Sequence, residues 1–219
     1  MRPISGLVLA LGLGLLVPSG VMAAEDEYAA VRDKLKACFA CHGVNGAPQD
    51  RRFPIIAGQH LYYIYVQLKD FSAGRRISPL MTEVVTGRPV EEMLAKSFPA
   101  GKPGSPVMTG VAAGLTKEEM LLIAKFFSEQ KWPNIGYRAD PEKAKKGEMA
   151  TVAGQCVQCH RGGYEGGSRI PRVAGQYVAY LNKTLLDFKS KDRNNSAAKS
   201  SLMRSFSEDE LAAIAEYLG

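Results

Sequence analysis

The sequence predicts an all-α chain in which one helical unit is used twice. Two observations carry this: apolar residues recur at helical rather than alternating spacing, and a stretch of the first half returns in the second. Phe53-Pro54-Ile55-Ile56-Ala57-Gly58-Gln59 is echoed by Ile170-Pro171-Arg172-Val173-Ala174-Gly175-Gln176. Extended to Arg76 and Arg193, the match holds nine identities in 24 ungapped positions, among them Tyr63/Tyr180, Leu68/Leu185, Asp70/Asp187 and Phe71/Phe188.

Three helical patterns recur in each half. The first covers 28–37 and leads into a Cys pair; its counterpart covers 141–153, with Asp140 as N-cap and Pro141 in the first position. The second covers 60–71, with Leu61, Ile64, Tyr65, Leu68 and Phe71 on one stripe, and returns at 177–188. The third covers 116–130, where Thr116 and Glu119 make a capping box ahead of Leu122, Ile123, Phe126 and Phe127. Ser207 and Glu210 repeat that box ahead of Leu211, Ile214 and Tyr217. Between the halves, Trp132, Pro133, Asn134 and Gly136 break the pattern and mark a linker at 132–140. The expected units are 25–131 and 141–219.

Residues 1–24 read as a secretory signal: Arg2, an apolar run from Leu7 to Val17, then small residues around Ala23. That run is short for a membrane span of about 20 residues, and no later segment is long and apolar enough to serve. The expectation is export to the periplasm, with no transmembrane segment after cleavage. The formal charge of +6 is spread along the chain without a block of like sign, which argues against a nucleic-acid partner.

All four Cys fall in two copies of one string, Cys38-Phe39-Ala40-Cys41-His42 and Cys156-Val157-Gln158-Cys159-His160. C-x-x-C-H is the attachment pattern of c-type haem. Residues three and four apart share a helix face, so two thiols can meet the vinyl groups of one porphyrin while the imidazole meets its iron. A disulfide framework, a four-sulfur zinc site and a redox dithiol each leave the two following His unexplained. Two covalently bound haem c groups are therefore expected, at Cys38, Cys41 and His42 and at Cys156, Cys159 and His160. Metal-bound His is usually fixed through its other nitrogen. Pro54 and Pro171 each follow a motif His by about a dozen residues, so each His Nδ1 is expected to face that proline's carbonyl.

The only other His, His60, has Tyr177 as its repeat partner, which argues against a ligand role. Met is then the expected second axial ligand, because a soft thioether favours ferrous iron and suits electron transfer. In the second half Met203, expected in a loop just before the last helix, is the candidate; Met149 precedes the Cys pair and points badly. The first half offers two candidates, because Ser78-Pro79-Leu80-Met81-Thr82 resembles Ser105-Pro106-Val107-Met108-Thr109. Met108, just ahead of the capped helix, is preferred over Met81. Met93 and Met120 read as core.

These motifs, with Leu68-Lys69-Asp70-Phe71 and Gly136-Tyr137, resemble dihaem class I cytochromes c of the cytochrome c4 type, with haem subunits of flavocytochrome c sulfide dehydrogenases as relatives. The resemblance covers nearly all of the chain beyond the signal. It implies two tandem class I cytochrome c domains, each wrapped around one haem. Two departures stand out: Arg161 follows the second motif where Gly43 follows the first, and Met203 stands only three residues before Phe206. The implied function is an electron carrier, not an enzyme, taking electrons from a dehydrogenase or quinol-oxidising complex and passing them to an acceptor such as a terminal oxidase. The alternative is a dedicated electron-accepting subunit of a periplasmic dehydrogenase for sulfide, thiosulfate or an alcohol. A dihaem peroxidase needs an open iron site, and no acid–base constellation marks one.

Overall fold

The computed structural model describes residues 26–73, 75–76, 111–112 and 114–219. Among these, eight α-helices form and no strand, apart from one antiparallel bridge between Gly167 and Ile170. In the first half a 3-10 turn, Ala29–Val31, leads into α1 (Arg32–His42), followed by α2 (Leu61–Ser72) and α3 (Lys117–Ser128). In the second, α4 (Pro141–Ala153) and the short α5 (Val157–His160) precede α6 (Val178–Ser190), α7 (Ala197–Arg204) and α8 (Glu208–Leu218).

Local signals act where they were read. Thr116 and Ser207 each accept a bond from the backbone of a Glu at the third helical position, and that Glu reaches back to the cap. The Asp140 carboxylate caps α4 through the N–H groups of Glu142 and Lys143, with Pro141 first in the helix.

Three features differ from expectation. The first helix opens at Arg32, after the 3-10 turn. The second Cys pair is not continuous with the helix before it: α4 ends at Ala153, Gln155 turns left-handed at φ 51°, and α5 starts afresh. Met149 therefore lies on a different helix from Cys156 and Cys159, and it is exposed. Met203 sits in a helix, not a loop. Ser196 caps α7, Ala197 and Ala198 are good helix formers, and Ser200 and Met203 are buried from it.

Each half has its own core. Leu35, Ile64, Leu68, Phe71, Met120, Ile123 and Phe127 fill the first; Leu181, Phe188, Met203, Phe206, Leu211 and Ile214 fill the second. In the second half α4 crosses α8 so closely that a Cβ on Gly147 would lie 2.0 Å from the Ala213 carbonyl oxygen.

The halves meet along a seam with a two-fold pattern. Gln59 Nε2 donates to the Arg172 carbonyl and its Oε1 accepts from the Arg172 N–H, both at 2.9 Å. Gln176 does the same to Ile55, again at 2.9 Å twice. Arg76 donates to the Tyr180 hydroxyl at 3.2 Å, and Arg193 to that of Tyr63 at 3.3 Å. His60 Nε2 donates to the Glu165 carbonyl at 2.7 Å, and the Tyr177 hydroxyl to the Pro48 carbonyl at 2.6 Å.

Candidate functional site

Each half presents the same chemical set at the end of a helix. His42 is the last residue of α1 and His160 the last of α5. His42 Nδ1 donates to the Pro54 carbonyl at 3.0 Å, and His160 Nδ1 to that of Pro171 at 3.0 Å, as expected from the repeat. A carbonyl only accepts, so Nδ1 carries the proton in both rings and Nε2 keeps its lone pair. Burial holds the imidazoles neutral. It pushes His42 below the usual range, and burial followed by the charge of Lys199 pushes His160 down to about 4. A neutral, oriented imidazole is what a metal ligand requires.

The turn after each His is conserved in geometry though not in sequence. Gly43 has φ 73° and Gly46 φ 79°; their counterparts Arg161 and Tyr164 take φ 66° and φ 54°. In the first half the Gly46 carbonyl accepts from the N–H groups of Ile56 and Ala57, at 2.8 and 3.0 Å. In the second the Tyr164 carbonyl accepts from Val173 and Ala174, at 3.0 and 3.3 Å. These paired bonds carry Pro54 and Pro171 beneath their rings. Side chains at such positive φ are uncommon, so Arg161 keeps the glycine's conformation at some local cost. The departure in sequence changes nothing in the turn.

The four thiols are all free. Cys38 is buried, Cys41 and Cys156 half-buried, and Cys159 exposed. Burial pushes the Cys38 thiol up to about 12 and raises Cys41 and Cys156, so these thiols stay protonated. Among the described residues no three His, Cys, Asp or Glu side chains converge on a common metal position. The donor set fits c-type haem instead: paired free thiols and a neutral imidazole with Nε2 available, in each half.

Met203 is buried in the second core. Met81 and Met108 lie outside the described residues, as do residues 1–24. Met120 is buried in the first core, as read. His60 is committed to the seam through the nitrogen a metal would need. What the sequence reading missed is the seam itself. Gln59/Gln176, Tyr63/Tyr180 and Arg76/Arg193 were noted only as signs of duplication. Polar identities in a repeat, with no helix cap or motif to explain them, were the available signal.

The chain matches the cytochrome c family over residues 144–219. It is 33% identical over 198 residues to cytochrome c4 of Stutzerimonas stutzeri, covering 86% of this chain and 82% of that one. It is 29% identical over 185 residues to a thiosulfate dehydrogenase electron acceptor of Stutzerimonas stutzeri strain A1501, covering 83% and 77%. Its fold matches the crystal structure of reduced cytochrome c4 from Pseudomonas stutzeri with a TM-score of 0.67 at 28% identity, covering 86% of this chain and 95% of that chain. The chain belongs to the cytochrome c4 family, and it is an electron-transfer protein with two covalently bound haem c groups, not an enzyme.

Proposed function

We propose that this chain is a periplasmic dihaem carrier in which units 25–131 and 141–219 each hold one haem. The observation that carries the residue assignment is the duplicated His–Pro contact at 3.0 Å, which leaves one oriented Nε2 per half directly after a pair of free thiols. Cys38 and Cys41, and Cys156 and Cys159, form the thioethers. Each thiol would add across one vinyl group, its sulfur bonding to one carbon and its proton ending on the other, with no net oxidation. His42 and His160 are the proximal ligands. Met203 would be the second ligand in the second half and Met108 in the first.

Each bound haem supplies a one-electron iron couple. The chain's residues would keep that couple ready: the proline carbonyls orient the imidazoles, and Met203 and Met108 would supply the soft second ligands that suit electron transfer. The donor is a dehydrogenase or quinol-oxidising complex, and the acceptor a terminal oxidase. Residues 1–24 direct export, and no helix among the described residues is long and apolar enough to cross a membrane. A second reading, a dedicated electron acceptor of a thiosulfate dehydrogenase, is favoured by the similarity to such an acceptor over most of both chains.

The test is mass spectrometry of the mature protein after denaturation. Two haem masses retained per chain are expected, falling to one in Cys156→Ala/Cys159→Ala. Zinc in place of haem, or a single haem in the unaltered chain, overturns the assignment.

A further inference from the structure

Four helices among the described residues carry a side-chain N-cap: α3 and α8 share one design, while α4 and α7 carry a lysine, Lys143 and Lys199, at the third position. In α3 and α8 the third position is Glu, which complements the helix dipole and closes the capping box. In α7 the cap is Ser196 and the third position is Lys199. A cation there opposes the dipole. It is also short of counter-charge. The Lys199 ammonium lies 5.4 Å from the centre of the Phe188 ring, and the Arg193 guanidinium lies 4.5 Å from the same centre.

Arg193 is buried, and its donors reach only neutral oxygens: Asn195 Oδ1 at 3.1 Å, the Tyr63 hydroxyl at 3.3 Å and Gln67 Oε1 at 2.9 Å. Arg76 donates to that same Gln67 oxygen at 2.8 Å. Among the described residues neither Arg193 nor Lys199 pairs with a carboxylate. Asp70, a buried acid, is held by Arg75 at 3.0 Å and by Asn195 at 2.8 Å. Burial and the charge of Arg193 push Lys199 down to about 8. A buried cation persists when an anion compensates it; Arg193 is buried with the half-buried Arg76 and Lys199 beside it, and no carboxylate among the described residues pairs with Arg193 or Lys199.

Lys199 stands one turn before Met203 on α7, so both project from one helix face. Lys199 therefore shares a helix face with the second-half Met ligand proposed above, and the anionic groups a haem brings are its propionate carboxylates.

We propose that Lys199, with Arg193 beside it, ion-pairs with a propionate of the haem attached at Cys156 and Cys159, and that its charge raises that haem's reduction potential. The proposal rests on the haem assignment above. A cation beside the haem favours the ferrous state, which carries less positive charge than the ferric. Lys199 is a positioning and tuning residue, not an iron ligand.

The test uses the full mature protein with Lys199→Gln and Lys199→Arg. Haem content is measured first: fewer than two haems in the unaltered chain overturns the haem assignment itself. With two present, each potential is followed by spectroelectrochemistry. Each is assigned to its half by NMR contacts between haem methyls and side chains of that half's core. The expected result is a downward shift of the second-half potential alone in Lys199→Gln, with the Met–iron charge-transfer band kept and the propionate bending band in resonance Raman displaced. Lys199→Arg restores both. Unmoved potentials, equal shifts of both haems, or a shift that comes only with loss of the Met–iron band overturns the proposal.

Discussion

The Gln176 side chain grips the main chain of Ile55 in the other half, its Oε1 accepting from the Ile55 N–H and its Nε2 donating to the Ile55 carbonyl, each at 2.9 Å. Ile55 is 1% exposed, so no water replaces these bonds if they are lost. Leaving a buried polar group unpaired costs about 1–3 kcal/mol. Gln176→Leu strands two such groups and should lower the denaturant midpoint accordingly. With Gln59→Leu added, calorimetry should show the single transition dividing into two as the halves uncouple. An unchanged midpoint in the double variant would mean that the seam does not stabilise the fold.

The axial ligands are tested by removing each Met in turn. Met203→Ala should abolish the Met–iron charge-transfer absorption of one haem and lower its potential, because a soft ligand is lost. Met108→Ala should do the same to the other haem, while Met81→Ala leaves both largely intact. The reverse outcome for the last two moves the first-half ligand to Met81.

The crossing of α4 and α8 admits no side chain at Gly147. A Cβ there meets the Ala213 carbonyl oxygen at 2.0 Å and Tyr217 Cβ at 2.8 Å. Helix propensity alone would reward Gly→Ala by about 1 kcal/mol, but overpacking costs about 1–3 kcal/mol and more where backbone must shift. Gly147→Ala should therefore be destabilising on thermal melting; a raised melting temperature would show that the two helices separate without cost.

The two capping boxes predict an acid-side dependence. Glu119 is lowered first by its bond from Lys34 and then by the Thr116 N–H; Glu210 is lowered first by the Ser207 N–H. Both carboxyls are thus more acidic folded than unfolded. Their contribution is complete above the unfolded value, about 4.3, and is lost as pH falls through the lower folded one. Glu119→Gln with Glu210→Gln keeps a capping partner at the third position but removes the charge. Melting curves from pH 7 to pH 3 should fall less steeply in this variant, and an identical slope would assign the acid loss elsewhere.

What the sequence made legible was local or repeated. The boxes at Thr116 and Ser207, the Asp140-Pro141 start and the two Cys-pair motifs each need only neighbours within a helical turn. The proline carbonyls beneath His42 and His160 were found because the spacing occurs twice. Helix α7 escaped because its inward face includes Ser200, and a buried serine does not register as an apolar stripe. The break before α5 escaped because Gln155 adopts a left-handed turn that composition associates with glycine or asparagine. The seam joins residues more than a hundred positions apart, beyond the reach of any periodicity.

Every reciprocal bond at that seam joins a residue of one half to the counterpart of its own partner, which is the definition of an isologous surface. A surface of that kind is complementary to a second copy of itself. Gln59 facing a second Ile55 would find the same backbone groups that Gln176 finds here. A single unit of this kind already carries the contacts needed to dimerise head to head, and tandem fusion keeps that dimer at an effective concentration set by the linker rather than by expression level. Two separated halves of this chain would then compete between pairing with each other and pairing with themselves, the side chains that differ between the units deciding which wins.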